Sequence, residues 1–166
     1  MVDRDSPIKK SGPRLRAPTE TVAGLKVMGV DVANLSNNHI LDHGEQGLKT
    51  TLEALHSREI RTVGVAMDLN SAKKPLIMEK CGVRVGIYAC CEHEYSYATD
   101  TNGGANPIEL FDSFEDVETL RENCDLLIVL YHGGREGFEY PMPFQRKVMR
   151  QFAKCGAYKN YYLGKV

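Results

Sequence analysis

Short apolar runs alternate with amphipathic segments along this chain, and the alternation predicts an α/β sandwich. Strand patterns, in which apolar residues are continuous or alternate with polar ones, occur at residues 30–36, 61–65, 76–80, 83–88 and 126–130. Helix patterns, in which apolar residues recur three or four positions apart, occur at residues 19–29, 44–56, 113–121 and 142–155. The neighbouring strand patterns at 76–80 and 83–88 predict a β-hairpin with its turn at Gly82.

The segments outside these elements differ in composition. Residues 1–18 are rich in Pro, Lys, Arg and Ser and predict an irregular N-terminal arm before a domain at 19–157. Residues 158–166 are polar and aromatic and predict a divergent tail rather than a strand. Residues 92–112 have the Gly, Asn and Pro content of a loop, and a loop of this length in a compact domain is often functional.

Composition narrows the possible functions. Of the 166 residues, 42% are hydrophobic and 26% are charged, which is usual for one globular domain. The net charge of −1 gives no basic surface and therefore argues against nucleic acid as a partner. The apolar runs are far shorter than the roughly 20 residues that span a bilayer. Because the first residues lack the apolar stretch of a secretory signal, the chain as it stands is expected in the cytoplasm.

The cysteines give no sign of a disulfide framework or of a zinc site. There are five of them, an odd number, and their spacing is irregular, which argues against paired disulfides. Cys90 and Cys91 are adjacent, whereas a zinc knuckle needs residues between its cysteines. We therefore expect reduced thiols buried in the protein core.

Polar residues follow the strand pattern at 30–36, at the point where open α/β sheets place their ligands. The sequence there is Asn37-Asn38-His39, followed by Asp42. An amide oxygen can ligate a metal ion, the imidazole of His39 can transfer a proton or bind phosphate, and Asp42 can orient that imidazole. The alternative is a simple turn, because Asn favours turns and helix caps.

A second polar corner follows the strand pattern at 126–130, where the chain continues Tyr131-His132-Gly133-Gly134. Imidazole is a common ligand of Mn, Fe and Zn, and glycines allow a ligand to approach the backbone closely. The alternative is a tight turn that happens to contain a histidine. Together the two corners predict a metal-assisted centre for phosphoester-type chemistry.

Further candidates for contacts with a substrate are Glu92, His93, Glu94 and Glu136. If residues 91–94 continue a strand, Glu92 and Glu94 lie on one face and His93 lies on the other. A solvated strand edge is the alternative for these three residues. Glu136 lies in the loop after His132 and can face either a substrate or water.

An ordered series of motifs resembles the CapA family of poly-γ-glutamate capsule synthesis proteins, within the calcineurin-like metallophosphoesterase superfamily. The motifs lie at residues 8–13, 35–44, 63–64, 89–94, 104–107 and 132–143. The resemblance implies an α/β/β/α sandwich with a metal centre at the strand ends. It also implies that Asn38 and His132 ligate metal, that His39 is the catalytic imidazole, and that Asp42 supports His39.

The resemblance further implies a divalent cofactor (Mn, Fe or Zn) and a substrate that is an anionic polymer or a phosphoester. Family members usually also have an opening strand that ends in Gly-Asp and a His-rich motif after Gly-Ala-Asp. This chain matches neither segment. We therefore expect a partial sandwich, truncated at both ends, with little activity and with exposed sheet edges that a partner or a second copy covers.

Two other functions are consistent with the same residues. One is a metal-free binding or scaffold module for an anionic cell-envelope polymer, with residues 92–112 as the binding loop. The other is a hydrolase whose missing ligands come from a second chain. For an intact family member, the expected location is the cell envelope rather than the cytoplasm.

Overall fold

The computed structural model describes the backbone of residues 1–163 and the side chains of residues 1–158. After a 3-10 turn at Thr19–Thr21, the helices are α1 (Val22–Val27), α2 (Gly44–His56), α3 (Leu69–Ala72), α4 (Leu110–Glu122) and α5 (Pro143–Lys154). The strands are β1 (Val32–Asn34), β2 (Arg61–Val63), β3 (Val65–Ala66), β4 (Leu76–Lys80), β5 (Val83–Cys91), β6 (Gly104–Ala105), β7 (Leu126–His132) and β8 (Lys159–Leu163). Within residues 1–163, no helix is long and apolar enough to cross a membrane.

The largest sheet has four strands in the order β4-β5-β7-β8. Strands β4 and β5 form the predicted antiparallel hairpin, whereas β5, β7 and β8 run parallel to one another. Strands β1 and β2 form a separate parallel pair, and β3 pairs with β6 in the antiparallel direction. Because β5, β7 and β8 are parallel, their carboxyl ends lie together at one edge of the sheet.

Alternate residues of the central strands pack into two different cores. Tyr88 of β5 packs in a core with Val117 of α4 and Phe152 of α5. The next residue, Ala89, packs in a core with Val63 of β2 on the opposite face. Since successive side chains of a strand point to opposite faces, the four-stranded sheet lies between α4 and α5 on one side and the β1–β2 pair on the other.

A third core completes the layers. Val22 of α1 and Leu55 of α2 pack together, and Ala33 of β1 packs against them. Helices α1 and α2 therefore cover the outer face of the β1–β2 pair. The order of the layers is α/β/β/α, and the predicted α/β sandwich is confirmed.

The observed start of α5 agrees with the helix start predicted from the sequence. Pro143 is its first residue, a position where a missing N–H and a fixed φ suit a helix. The side-chain oxygen of Gln145 accepts a hydrogen bond of 2.7 Å from the backbone N–H of Met142, which satisfies one of the donors at this helix end. The helix then buries Val148 and Phe152 against the sheet.

Two expectations differ from the structure. Lys159–Leu163 forms β8 beside β7, where the local pattern predicted a tail. The prediction is wrong because backbone pairing between distant segments leaves little local signal. Residues 164–166 of the predicted tail lie outside the described residues. The expectation of buried thiols is wrong for Cys81, which lies exposed in the turn between β4 and β5. It is confirmed for the other cysteines, which are buried and reduced: Cys90, Cys91, Cys124 and Cys155.

The N-terminal arm contains no helix or strand in residues 1–18, yet it is fixed against the domain. Val2 N–H donates to the carbonyl of Ala17 at 2.8 Å, which closes the arm on itself. Ile8 N–H donates to the carbonyl of Asp42 at 2.9 Å, and Leu15 N–H donates to Asp42 Oδ2 at 2.6 Å. These bonds hold residues 8–15 over the turn that follows β1.

Candidate functional site

Two strand ends that are far apart in the sequence meet at the candidate site. His132 is the last residue of β7 and lies on the same face of the strand as Ile128 and Leu130, which pack toward the β1–β2 pair. Its side chain therefore projects toward the residues that follow β1. His132 Nε2 lies 3.0 Å from Asn38 Oδ1, and the two residues are 94 positions apart. The amide oxygen can only accept, so Nε2–H is the donor in this hydrogen bond.

His39, next to Asn38, is oriented by Asp42. His39 Nδ1 lies 2.8 Å from Asp42 Oδ2. An ionised carboxylate only accepts hydrogen bonds, so Nδ1–H donates, and the lone pair of the imidazole is then the one on Nε2. His39 therefore presents a proton acceptor, and the structure brings together the histidine and the carboxylate that were predicted to interact.

Lys10 from the arm completes this cluster. Its ammonium forms an ion pair with Asp42 Oδ1 and lies 3.2 Å from His39 Nδ1. The side chains of Lys10 and Asp42 are only 3% and 1% exposed. Burial alone would raise the pKa of Asp42, but hydrogen bonds from Lys10, from Leu15 N–H and from His39 outweigh it and hold this pKa below its ordinary value. Asp42 is therefore ionised at neutral pH and balances the charge of Lys10.

Hydrogen bonds within and across the turn fix the residues that carry the site. Asn37 Oδ1 accepts from the backbone N–H of His39 at 2.9 Å, which is the turn role weighed as the alternative for this motif. The buried hydroxyl of Ser96 donates to the carbonyl of Asn38 at 2.8 Å and accepts from Leu41 N–H at 3.3 Å. The turn is therefore clamped from the segment that follows β5.

The turn after β1 and the loop after β7 open into a cleft of about 460 Å³. Its lining comes from the arm, from the turn after β1 and from the loops after β5 and β7: residues 10–13, 38–39, 94–95 and 134–136. Ser11 Oγ and Tyr95 OH lie 2.7 Å apart and join the arm to the loop after β5. A concave space of this volume is within the range of small-ligand sites.

The structure separates the four predicted substrate residues. Glu94 and Glu136 line the cleft. His93 is not among the lining residues of the described chain, and its Nε2 lies 2.9 Å from Glu109 Oε1 instead. Because β5 ends before residue 92, residues 92–94 do not continue a strand, and the expected alternation of their faces is wrong.

Glu92 also lies outside the cleft lining, where it joins the end of β5 to β7 and α5. Its Oε1 accepts a hydrogen bond of 3.1 Å from Tyr131 OH and one of 2.8 Å from Gln145 Nε2. A Cβ added at Gly133 would lie 2.6 Å from the Glu92 side chain, so the glycine leaves the room that this contact needs. Glu92 thus has a role in holding the strand that carries His132.

A comparison with protein families assigns the chain. The family model described as "Bacterial capsule synthesis protein PGA_cap" matches residues 1–159, which include both corners and the arm. The chain belongs to this family. The resemblance inferred from the motifs is therefore confirmed.

Curated relatives of this PGA_cap chain have related names. It is 30% identical over 149 residues to the "Capsule biosynthesis protein CapA" of Bacillus anthracis, with 86% of this chain and 36% of the relative covered. It is 30% identical over 149 residues to the "PGA biosynthesis protein CapA" of Bacillus subtilis, with 86% and 38% covered. A "Probable polyglutamine synthesis accessory protein" of Mycobacterium tuberculosis is 38% identical over 63 residues, with 38% of this chain and 17% of the relative covered. The chain spans little more than a third of the Bacillus proteins.

The donor atoms of this PGA_cap chain fit only part of a metal site. Two ligands that each lie about 2.1 Å from an ion, at right angles to one another, are about 3 Å apart. Asn38 Oδ1 and His132 Nε2, which are 3.0 Å apart, match two such neighbouring positions when the imidazole proton is carried on Nδ1 instead of Nε2. Both donors are neutral, and among the described residues no group of three or more His, Cys, Asp or Glu side chains is placed to hold a metal ion. The pair does not make a complete ligand set.

Two charged residues that line the cleft, Lys10 and Arg135, have no role predicted from the sequence. Each lies inside a motif that carried the resemblance, so a signal was present. Lys10 lies in an irregular arm, where no periodicity shows which side chains face the domain. Arg135 follows the glycines after His132, and only the three-dimensional path of this loop shows that Arg135 borders the cleft.

Proposed function

We propose that this protein acts in the synthesis of bacterial poly-γ-glutamate capsule and that its cleft binds the anionic polymer or a phosphoester substrate. The family and the names of the relatives support the role in capsule synthesis. The contact of 3.0 Å between Asn38 and His132, beside the His39–Asp42 pair, carries the assignment of the site. We propose further that the working protein acts at the cell envelope, because a capsule is assembled there.

The side chains of the cleft suit proton transfer. His39 Nε2 can accept a proton from a reacting hydroxyl or amine, and Asp42 then stabilises the imidazolium that forms. Asn38 supplies an amide dipole next to that position. Because Lys10 is paired with Asp42, its charge serves to hold the cluster rather than to attract a ligand.

We also propose that Asn38 and His132 supply two ligands for a divalent ion such as Mn, Fe or Zn, together with donors beyond this pair. Such an ion would polarise a phosphoryl or acyl oxygen of the substrate. Two neutral donors hold a divalent cation weakly, so dialysed protein is expected to contain far less than one ion per chain. Added Zn²⁺ should still shift the NMR signals of His132 in the wild type, and should bind more weakly to the His132→Ala variant.

The matched control for this titration is His56→Ala, which removes an exposed histidine from the last turn of α2. Zn²⁺ affinity should be unchanged in this variant. If His132→Ala binds Zn²⁺ as the wild type does, then His132 is not a ligand. If dialysed wild type and His132→Ala both retain one ion per chain, the metal lies elsewhere.

Binding of a γ-glutamyl oligomer tests the proposed function. Isothermal titration calorimetry with tri-γ-glutamate should detect binding to the wild type. His39→Ala should weaken it about tenfold, because an N–H group of the ligand loses the hydrogen bond that His39 Nε2 accepts. His56→Ala again serves as the control and should bind like the wild type. Absence of binding to the wild type, or equal losses in both variants, would contradict the proposed site.

Among the described residues, no group of three or more His, Cys, Asp or Glu side chains is placed to hold a metal ion, which favours a metal-free binding module as the second candidate. The same titration in the presence of EDTA separates this module from a metal-dependent hydrolase. Unchanged affinity in EDTA, with no release of phosphate from model phosphoesters, supports the module. Affinity that requires added Mn²⁺ or Zn²⁺ supports the metal-dependent site.

A further inference from the structure

Helix α5 carries a row of positive charges on its outer face. Val148 and Phe152 face the sheet. Four basic side chains of the helix are exposed and form what we call the α5 row: Arg146, Lys147, Arg150 and Lys154. Within the described part of the chain, none of the four takes part in an ion pair. The net charge of −1, an average over the whole chain, does not reveal this local basic surface.

The helix does not neutralise its own cations. Residues 143–154 contain no Asp or Glu, so no side chain of α5 can pair with the row. Side chains that are four residues apart lie on one side of a helix, and each such step rises by about 6 Å along the axis. Arg146, Arg150 and Lys154 have this spacing, so the row extends over about 12 Å. The row is therefore a linear surface for an anionic ligand.

The length of the row suits several units of a γ-glutamyl chain. An α-peptide residue adds three backbone bonds and about 3.4 Å to an extended chain, whereas a γ-glutamyl residue adds five bonds and about 6 Å. Each γ-glutamyl residue carries one carboxylate. Three successive carboxylates of an extended chain thus span about the length of the row, and the long side chains of Arg and Lys can reach them.

The α5 row begins at the edge of the sheet where the cleft lies. Helix α5 connects the parallel strands β7 and β8, so it starts beside their carboxyl ends and runs back along the sheet. Its first residue, Pro143, is seven positions after Glu136, which lines the cleft. A long chain that is bound in the cleft can therefore continue along α5.

The neighbouring helix favours a single polymer strand over a flat anionic surface. Tyr140 and Phe144 are exposed just before the row, and aromatic residues beside basic ones are typical of helices that lie on membranes. However, α4 in the same layer has exposed carboxylates: Glu115, Glu118 and Glu122. A membrane would approach both helices and would be repelled by these carboxylates, whereas one strand of polymer can follow α5 alone.

We propose that the α5 row is a second binding surface for the anionic polymer, on which successive carboxylates of a γ-glutamyl chain pair with successive cations. This inference rests on the proposed function and adds a contact outside the cleft. Each exposed ion pair contributes little, so the surface acts on chains that are long enough to place several carboxylates on the row at once. The row thereby gives the protein a preference for polymer over short oligomers.

The test compares deca-γ-glutamate with tri-γ-glutamate by isothermal titration calorimetry at pH 7 and low ionic strength. The row variant combines Arg146→Gln, Arg150→Gln and Lys154→Gln. It should bind the decamer about tenfold more weakly than the wild type does, because three exposed ion pairs are lost. Its affinity for the trimer should stay within about twofold of the wild type, because the cleft is unchanged. High salt should remove the difference for the decamer, since exposed ion pairs are screened.

A matched control removes three exposed cations from the opposite layer of the sandwich: Lys26→Gln, Lys49→Gln and Arg58→Gln. These residues lie on α1, on α2 and in the turn after α2. The control lowers the net charge by the same amount as the row variant does. It should nevertheless bind both peptides like the wild type, and equal losses in the control and the row variant would overturn the inference.

Two other occupants of the α5 row are outcomes of the same comparison. Vesicles of phosphatidylglycerol can bind the wild type and not the row variant, while the two proteins bind the decamer equally well. This result would assign the row to a membrane surface and overturn the inference. Self-association in sedimentation that the row variant loses, again with equal binding of the decamer, would assign the row to the acidic α4 of a second copy and overturn it as well.

The results also separate this inference from the proposed function. If the trimer binds the wild type, and the row variant binds the decamer as tightly as the wild type does, the second surface is overturned while the polymer site in the cleft stands. If the row variant loses affinity for the decamer alone, the second surface is supported. If neither peptide binds the wild type, the proposed function fails, and this inference fails with it.

Discussion

Replacing Lys10 with Met is expected to destabilise the protein by about 3–5 kcal/mol, the usual cost of leaving a buried charge without its partner. The change removes the ammonium that pairs with Asp42 and keeps a side chain of similar length. Asp42 is 1% exposed, so water cannot replace the lost partner. Urea denaturation followed by circular dichroism measures the free energy of unfolding of both proteins.

Lys9→Met is the matched control, because Lys9 is the exposed neighbour of Lys10 in the arm. This control should change the free energy of unfolding by no more than about 0.5 kcal/mol. A double variant, Lys10→Met with Asp42→Asn, should recover part of the loss because it removes the unpaired charge. Equal stability of the Lys10→Met and Lys9→Met proteins would show that the ion pair does not hold the arm.

The same cluster gives the stability of the wild type a defined pH dependence. The pKa of Asp42 is lower in the folded protein than its ordinary value, so the folded state favours the ionised carboxylate. Its contribution to stability is present above about pH 4 and is lost as the pH falls through the lower pKa of the folded state. Stability measured below pH 4 should therefore decrease less steeply in the double variant than in the wild type.

Replacing Gly64 with Ala is expected to cost about 3 kcal/mol or more, because two unfavourable effects add. Gly64 has a φ of 75°, in the left-handed region that disfavours other residues. A Cβ at this position would also lie 2.7 Å from the Cβ atoms of Ser36 and Ala89. Ser36 directly precedes the Asn37–His39 turn, so the substitution should also weaken the binding of tri-γ-glutamate.

Gly82→Ala separates the two effects. Gly82 has nearly the same φ, 76°, but an added Cβ there meets nothing within 4 Å. This variant should lose only about 1–2 kcal/mol, the cost of the left-handed backbone alone, and should keep its affinity for the oligomer. Equal losses of stability in the two variants would mean that the close packing of Gly64 against Ser36 and Ala89 has no energetic effect.

The parts of the site that lie at the ends of regular elements could be predicted from the sequence. Asn38 and His132 each follow a strand pattern, and polar residues at that point are expected where parallel strands end. Asp42 lies three residues beyond His39, which is close enough for their contact to be anticipated. The alternation of helix and strand patterns was sufficient to predict the sandwich.

The remaining parts depend on contacts that have no local signal. Lys10 reaches Asp42 only because backbone bonds fix an irregular arm, and β8 forms because β7 offers a pairing edge. The predicted faces of Glu92 and His93 are wrong because β5 ends at residue 91. Local patterns do not locate the end of a strand to within a few residues. Residues in irregular segments thus need the three-dimensional structure before a role can be assigned to them.

The most direct test of the proposed site is to record NMR spectra of ¹⁵N-labelled protein while tri-γ-glutamate is added. The predicted result is a set of saturable shifts at residues 38–39 and 134–136, which line the cleft. The signals of Cys81 and Gly82, in the turn at the opposite end of β5, should stay unchanged. Shifts centred away from the cleft, or no shifts at all, would contradict the assignment of this cleft as the functional site.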